Sequence, residues 1–138
     1  MTMSLAPILS ARSLILGTLK TNSAYTTYIP AARTYPAKVP ASPVWPFARL
    51  DSMTAVPARN DCADDADITG RVHIFVKLDT ANVPDPEAYA AQACDAASSA
   101  LEALEDCHIE SVQIMMDAAE ADAFHGIVQF RLLGVNRP

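Results

Sequence analysis

The chain has 138 residues, about half of them apolar, and a formal net charge of −6. A chain of this length fits one domain and buries roughly two-thirds of its unfolded surface, so it needs no disulfide or metal ion to hold a core. Acidic residues outnumber basic ones sixteen to ten, which argues against nonspecific binding to nucleic acid or to an anionic membrane.

The cysteines indicate a reducing compartment. Cys62, Cys94 and Cys107 form no CxxC pair and cannot all pair with one another, so we interpret them as reduced thiols of a protein made in the cytoplasm. No apolar run is long enough to span a bilayer, and the start of the chain shows no secretory signal. We therefore expect no membrane association.

The first predicted element is a helix over residues 4–20. Ser4 suits its cap, Pro7 suits its first turn, and apolar residues recur at helical spacing. Five prolines then rule out a long helix between residues 22 and 46. This Pro-rich arm is predicted to be extended, with a short edge strand over residues 33–35.

An acidic loop follows a predicted strand over residues 47–54. The loop, residues 55–66, contains Asp61, Asp64 and Asp65 and reads as an exposed, solvated segment. Its length lies at the upper end of ordinary loops, which points to a function of its own.

The second half of the chain has the clearest periodic signals. Residues 71–78 alternate between apolar and polar side chains, which predicts a strand. Asp85 as cap and Pro86 at the first helical position predict a helix that runs to about residue 104 and buries an alanine-rich stripe. Residues 110–116, with Val112, Ile114 and Met116 facing inward, and residues 124–135 predict an antiparallel hairpin.

Together these elements predict an α+β fold: an antiparallel or mixed sheet of about four to five strands with two helices packed on one face. The order of elements fits a single domain over residues 1–138, with the Pro-rich arm and the acidic loop as its irregular parts.

Catalytic and metal-binding patterns are weak in this sequence. Cys107 and His108 are neighbours on a predicted strand, so their side chains point to opposite faces. His73 and His125 lie on the polar faces of strands that could be adjacent, but no second ligand follows at metal-binding spacing. The segment from Asp65 to Gly70 begins like a calcium loop, yet Val76 stands where a bidentate carboxylate is required. We expect no catalytic residue, no cofactor and no metal ion.

The arm and the acidic loop are instead typical of segments that contact neighbouring proteins. Within and beside the arm, Tyr35, Trp45 and Phe47 are candidate anchors for a subunit or partner interface, with burial in their own domain as the alternative.

The order of these features resembles the phage tail-completion family, the tail-terminator or head–tail joining proteins of long-tailed phages and gene transfer agents. The resemblance covers nearly the whole chain: the first helix, then "RTYPAKVP" and "SPVWPFARL", the strand "DITGRVHIFVKLD", the helix "PEAYAAQACDAASSALEAL", and finally "VQIMMD" and "FHGIVQFRLLG". The acidic loop and the turn over residues 118–123 depart from the usual pattern of the family.

The resemblance implies a structural virion protein at the tail–neck junction, made in the host cytoplasm. Members form a ring, usually of six copies, that caps the finished tail tube, ends its elongation and meets the neck of the capsid. DNA passes through such a ring without specific binding, and we expect Asp61, Asp64 and Asp65 to face the lumen or a neighbouring subunit, where carboxylates repel phosphates. Expected partners are further copies of the chain, the tail-tube protein and a neck or stopper protein.

Two alternatives remain open from the sequence. Another neck ring, such as a stopper or adaptor, has a similar fold and charge. A small cytosolic enzyme or ligand-binding domain is the alternative from a different class, and it requires a pocket with convergent polar groups.

Overall fold

The computed structural model describes residues 7–57, 65–117 and 119–136. They form three helices and six strands, which confirms the predicted α+β class with one strand more than the predicted range. The helices are α1 (Pro7–Thr21), α2 (Ser23–Thr26) and α3 (Pro86–Glu102). The strands are β1 (Thr34–Tyr35), β2 (Phe47–Leu50), β3 (Thr54–Pro57), β4 (Asp65–Lys77), β5 (Cys107–Met116) and β6 (Ala123–Asn136). A 3₁₀ turn over Ala31–Arg33 leads into β1.

The strands form one mixed sheet in the order β1-β2-β4-β6-β5, in which only β1 and β2 are parallel. The predicted strand over residues 47–54 is two strands, because the 13-residue β4 pairs with both. Its Ala66–Thr69 part lies against β3, and its Val72–Phe75 part lies against β2. Pro57 also extends β3 into the region that was predicted to be the acidic loop.

The predicted start of α3 is confirmed. The Asp85 side chain accepts a hydrogen bond from the Ala88 N–H at 3.1 Å, and Pro86 opens the helix. Small side chains dominate the stripe that α3 buries against the sheet; the buried residues are Ala90, Ala93, Cys94, Ala97, Ala100 and Leu101. Because so few atoms project from this stripe, the helix axis lies close to the strands.

The N-terminal segment completes the helix layer. α1 buries Ala11, Ile15 and Leu19, and α1, α2 and α3 contact one another. The short α2 lies inside the arm that was predicted to be extended; the Asn22 side chain caps it by accepting from Tyr25 N–H at 2.9 Å. The predicted cap Ser4 lies outside the described residues. Within the described ranges, no helix has the length and apolar character needed to cross a membrane.

Val112 and Met116 were predicted to face inward; they lie on the helix-bearing face, but the core does not bury them. These side chains are 48% and 72% exposed, although they lie opposite Val128 and Phe124 on the face of the sheet that carries the helices. β5 is the outermost strand of the sheet, so a neighbouring strand flanks it on one side only. Only Ile114 of the predicted three packs against the core, and it does so partly.

Candidate partner-binding surface

The face of the sheet opposite the helices has no helix packed on it within the described residues. We call it the open face. Strand alternation places one side chain in two on this face, and register brings those of β2, β4 and β6 side by side. Phe47 lies opposite Phe75, and Phe75 lies opposite His125. The open face is therefore not the polar surface that alternation alone suggested.

An aromatic patch occupies one end of the open face; it consists of Tyr35, Trp45, Phe47 and Phe75. The Phe75 ring stacks on Phe47 at a centroid distance of 4.7 Å. Trp45 packs edge-on against both phenylalanines at 5.1 and 6.2 Å, and Tyr35 lies 6.3 Å from Phe47. The three predicted anchors thus come together. Phe47 is buried and forms the floor of the patch, whereas Tyr35, Trp45 and Phe75 are half-buried and reach its surface.

Trp45 also forms one wall of a groove of about 770 Å³ between the arm, the end of β4 and the start of α3. Lys77 lies across its ring, with the ammonium nitrogen 5.9 Å from the ring centroid. The Trp45 carbonyl accepts a hydrogen bond from the Arg33 guanidinium at 3.2 Å. These contacts hold the indole in one place before any partner arrives, which lowers the entropic cost of binding through it.

A pair of histidines continues the patch along the sheet. His73 Nδ1 and His125 Nε2 lie 2.6 Å apart, so one ring donates its N–H to the other. The Asp51 carboxylate binds the second nitrogen of His73 at 3.2 Å. Phe75 stacks on the His125 ring at 4.4 Å. The two strands that were predicted as possible neighbours are adjacent, and their histidines form one hydrogen-bonded group.

The surroundings favour the neutral form of both imidazoles. Burial lowers the pKa of His73, and the nearby Asp51 charge offsets only part of that effect. Burial and the neighbouring His73 likewise lower the pKa of His125. For Asp51, burial alone would raise the pKa, but the Ser52 N–H and the charges of Arg49 and His73 hold it below its usual range.

These pKa shifts predict an acid-sensitive fold. Because both histidines have a lowered pKa in the folded state, the unfolded chain binds more protons below its ordinary histidine pKa of about 6.5. The stabilisation is therefore present above this pH and is lost as the pH falls below it. We expect the free energy of unfolding, measured by urea titration, to decrease between about pH 7 and pH 5.

The His125→Gln variant is expected to show a shallower decrease over the same interval, since it removes one of the two titrating rings. His108→Gln is the matched control, because His108 is exposed and lies on β5 away from the pair. A His125→Gln variant with the pH dependence of the unmodified chain would contradict this assignment.

The remaining candidate groups do not converge on a reactive site. Cys107 is buried and its neighbour His108 is exposed, as alternation predicted. Burial raises the pKa of Cys94 to about 12 and that of Cys107 to about 11, so both stay protonated thiols at neutral pH. Among the described residues, no group of three or more His, Cys, Asp or Glu side chains is placed to hold a metal ion.

The calcium-loop pattern and the acidic loop have different outcomes. Asp67 to Val76 are extended strand within β4, so the start of the pattern cannot wrap around an ion. Asp61 and Asp64 lie outside the described residues. Asp65 begins β4 opposite Asn136, and its side chain is not among those described.

Comparison with known proteins gives one family match. The family model described as "Tail completion protein gp17" matches residues 13–133. No match was found among curated proteins.

Two solved structures share the fold. A chain in the virion of a native gene transfer agent particle superposes with a TM-score of 0.65 at 15% identity, covering 99% of this chain and 100% of the other. The gp17 protein of bacteriophage SPP1 superposes with a TM-score of 0.55 at 15% identity, covering 93% and 92% of the two chains.

Proposed function

Because the chain belongs to the tail completion protein gp17 family, we propose that it forms a ring that caps the tail tube, ends its elongation and joins the tail to the neck. Members of this family are structural tail-completion proteins, so the protein is a structural component of a phage or gene transfer agent particle and is not an enzyme. The alternative of a small enzyme is therefore wrong.

The aromatic patch on the open face is the observation that supports the proposed assembly. Trp45, Tyr35 and Phe75 present a preordered apolar surface on a side of the sheet that carries no helix. Aromatic side chains of this kind dominate binding energy at protein interfaces. We assign Tyr35 and Trp45 to a contact with a neighbouring subunit or with a tail protein, with the buried Phe47 as the support beneath them.

The expected copy number is six, with the tail-tube protein on one side of the ring and a neck protein on the other. DNA passes through the centre without specific binding. Asp61, Asp64 and Asp65 are proposed to line that passage, where their charges repel phosphates and prevent adhesion. A map of the assembled ring that places residues 55–66 on its outer rim would overturn this placement of the loop.

Native mass spectrometry of the purified chain at rising concentration tests the proposal, followed by negative-stain imaging of any large species. We expect a mass of six copies and a ring with a central hole. Purified tail tubes then distinguish the two neck functions: a terminator binds the tube end, whereas a stopper or adaptor leaves the tube free and binds the neck side. A chain that forms no ring in solution or on tubes would contradict the proposal.

A further inference from the structure

β5 is an unprotected edge of the sheet. Among the described residues it pairs only with β6, so its other side presents backbone N–H and C=O groups that have no strand partner. Exposed edges commonly carry lysine or proline, which discourage pairing, but Cys107–Met116 contains neither. Val112 and Met116 add exposed apolar side chains beside this edge. Such an edge is typical of a surface that another protein covers.

The charged residues of the chain are strongly divided along its length. The first fifty residues contain five basic residues and no acidic one, and residues 78–130 contain eleven acidic residues and no lysine or arginine. The five bases are Arg12, Lys20, Arg33, Lys38 and Arg49. The eleven acids are Asp79, Asp85, Glu87, Asp95, Glu102, Glu105, Asp106, Glu110, Asp117, Glu120 and Asp122.

The fold places four residues of each set at opposite edges of the sheet. We define the acidic edge as β5 with Glu102, Glu105, Asp106 and Glu110, all of which are exposed. Glu102 is the last residue of α3, and the short connection from α3 to β5 contains Glu105 and Asp106.

We define the basic edge as β1 and β2 with Arg12, Arg33, Lys38 and Arg49. Arg33 leads directly into β1, and Arg49 lies on β2. Arg12 of α1 lines a shallow groove together with Ala37 and Leu50 at this side of the sheet. Arg12 and Lys38 are exposed, and Arg33 and Arg49 are half-buried.

The two edges are too far apart to neutralise each other within one molecule. Four strand spacings separate β1 from β5, a distance of roughly 19 Å at about 4.8 Å a spacing. Salt screens charges over about 8 Å at physiological ionic strength. None of the four bases of the basic edge forms an ion pair within the described residues, where the recorded pairs are those of His73, Lys77 and Arg131.

We propose that the acidic edge of one copy binds the basic edge of the next copy. This inference rests on the proposed ring and names the surfaces that close it. Contact between two identical acidic edges would oppose like charges, which disfavours a two-fold dimer. Contact between unlike edges is heterologous, and its repetition gives a closed ring or a filament.

Both edges carry further features that fit this contact. Tyr35 and Trp45 of the aromatic patch lie at the basic edge, and Val112 and Met116 lie at the acidic edge. The same contact therefore joins opposite charges and covers the exposed apolar side chains of both copies.

Charge-reversed variants test the proposal directly. Glu105→Lys with Glu110→Lys leaves two carboxylates and two lysines on the acidic edge, so its formal charge falls to zero. Arg12→Glu with Lys38→Glu cancels the formal charge of the basic edge in the same way. We expect each double variant alone to associate at least about 100-fold more weakly than the unmodified chain, because one edge has lost its net charge and the attraction between the two edges is lost with it. An equimolar mixture of the two is expected to regain association and to form particles in which the variants alternate. Sedimentation velocity and native mass spectrometry in low-salt buffer measure both results.

A charge-matched pair of variants separates a local contact from a change in net charge. The first double variant is Glu105→Gln with Glu110→Gln, and the second is Gln92→Lys with Ser99→Lys. Both raise the formal net charge of the chain by the same amount. Gln92 and Ser99 are exposed on the side of α3 that faces away from its buried stripe. We expect only the glutamine variant to weaken association. Thermal melts check that every variant is folded, and the conservative glutamine variant keeps the test valid if a reversal fails to fold.

The outcomes distinguish the inference from the proposed function. If the unmodified protein forms rings and both charge-reversed variants still form them, the edge contact is overturned but the ring function stays intact. A mixture that fails to regain association would also overturn it, as would an unmodified chain that stays monomeric in low salt. The unmodified chain could instead bind a DNA duplex without associating with itself. If Arg12→Glu with Lys38→Glu abolishes that binding, the basic edge is a DNA-binding surface and not a subunit contact. Failure of the proposed function requires the separate result that the unmodified protein binds neither tail tubes nor neck proteins.

Discussion

Gly126→Ala is expected to lower the free energy of unfolding by about 2 kcal/mol, and Gly126→Val by more, because no space exists for a side chain between β6 and α3. Gly126 lies opposite Ile74 on one side and Ile114 on the other. A β-carbon built at this position overlaps the Cys94 sulfur, lies 3.2 Å from the Ile114 Cδ1 atom and lies 3.8 Å from the Ile74 Cβ atom. The added methyl group therefore pushes α3 away from the sheet.

A double-mutant cycle with Cys94→Ala identifies the cause. Removing the sulfur opens the space that the new methyl group needs, so Gly126→Ala is expected to cost less in the Cys94→Ala background, with a coupling of about 1 kcal/mol. Gly17→Ala is the control, since Gly17 lies in α1 with nothing within 4 Å of the added β-carbon; helix propensity predicts a gain of up to about 1 kcal/mol there. Urea unfolding measures all four variants. If the losses in free energy of unfolding from Gly126→Ala and Cys94→Ala simply add in the double variant, the new methyl group does not press on the Cys94 sulfur.

The helix and strand signals that succeeded are local ones. The cap of α3 depends on Asp85 and Pro86, which are adjacent in sequence, so the start of that helix could be predicted without knowledge of the fold. Alternation in β4 likewise assigns Val72, Ile74 and Val76 to one face, and all three are buried. Both signals follow from backbone geometry within one element.

The errors concern tertiary relations. Alternation in β5 correctly assigns Val112 and Met116 to the helix-bearing face, but it contains no information on how far α3 extends over an edge strand. The division of residues 47–54 into β2 and β3 follows from the length of β4, which pairs with both. A short, weakly alternating segment cannot show that two partners share one long strand.

The partner-binding surface was predictable in part. Tyr35, Trp45 and Phe47 were singled out as large aromatic side chains beside an irregular arm, and they form one patch with Phe75. To predict that Phe75 and the two hydrogen-bonded histidines belong to this surface, one needs the register of β2, β4 and β6, which alternation does not fix. The division of charge that defines the two edges is visible in the sequence, but its meaning depends on the strand order, which places β1 and β5 at opposite ends.

Trp45→Ala is expected to weaken assembly by about 30-fold, equivalent to about 2 kcal/mol, while the chain remains folded. The indole is half-buried in the free chain and is held by Phe47, Phe75 and Lys77. A large side chain that is already ordered loses little entropy when a partner covers its remaining surface. Its removal also takes away the apolar wall of the groove beside it. The concentration at which rings form, measured by sedimentation, gives the change directly.

Two comparisons decide whether the Trp45 effect belongs to the interface. Val56→Ala is the matched control, because Val56 is exposed and lies away from the aromatic patch. Its strand, β3, pairs with the Ala66–Thr69 part of β4, whereas the patch lies beside the Val72–Phe75 part. Assembly is expected to stay unchanged in this variant. Trp45→Phe retains an aromatic ring against Phe47 and is expected to keep most of the assembly. If Trp45→Ala instead lowers thermal stability and assembly in parallel, or leaves assembly intact, then Trp45 supports its own domain and the open face requires another anchor. Loss of assembly with an unchanged melting temperature is the result that assigns the aromatic patch to a neighbouring protein, because only a contact absent from the free chain can be lost without a change in the stability of that chain.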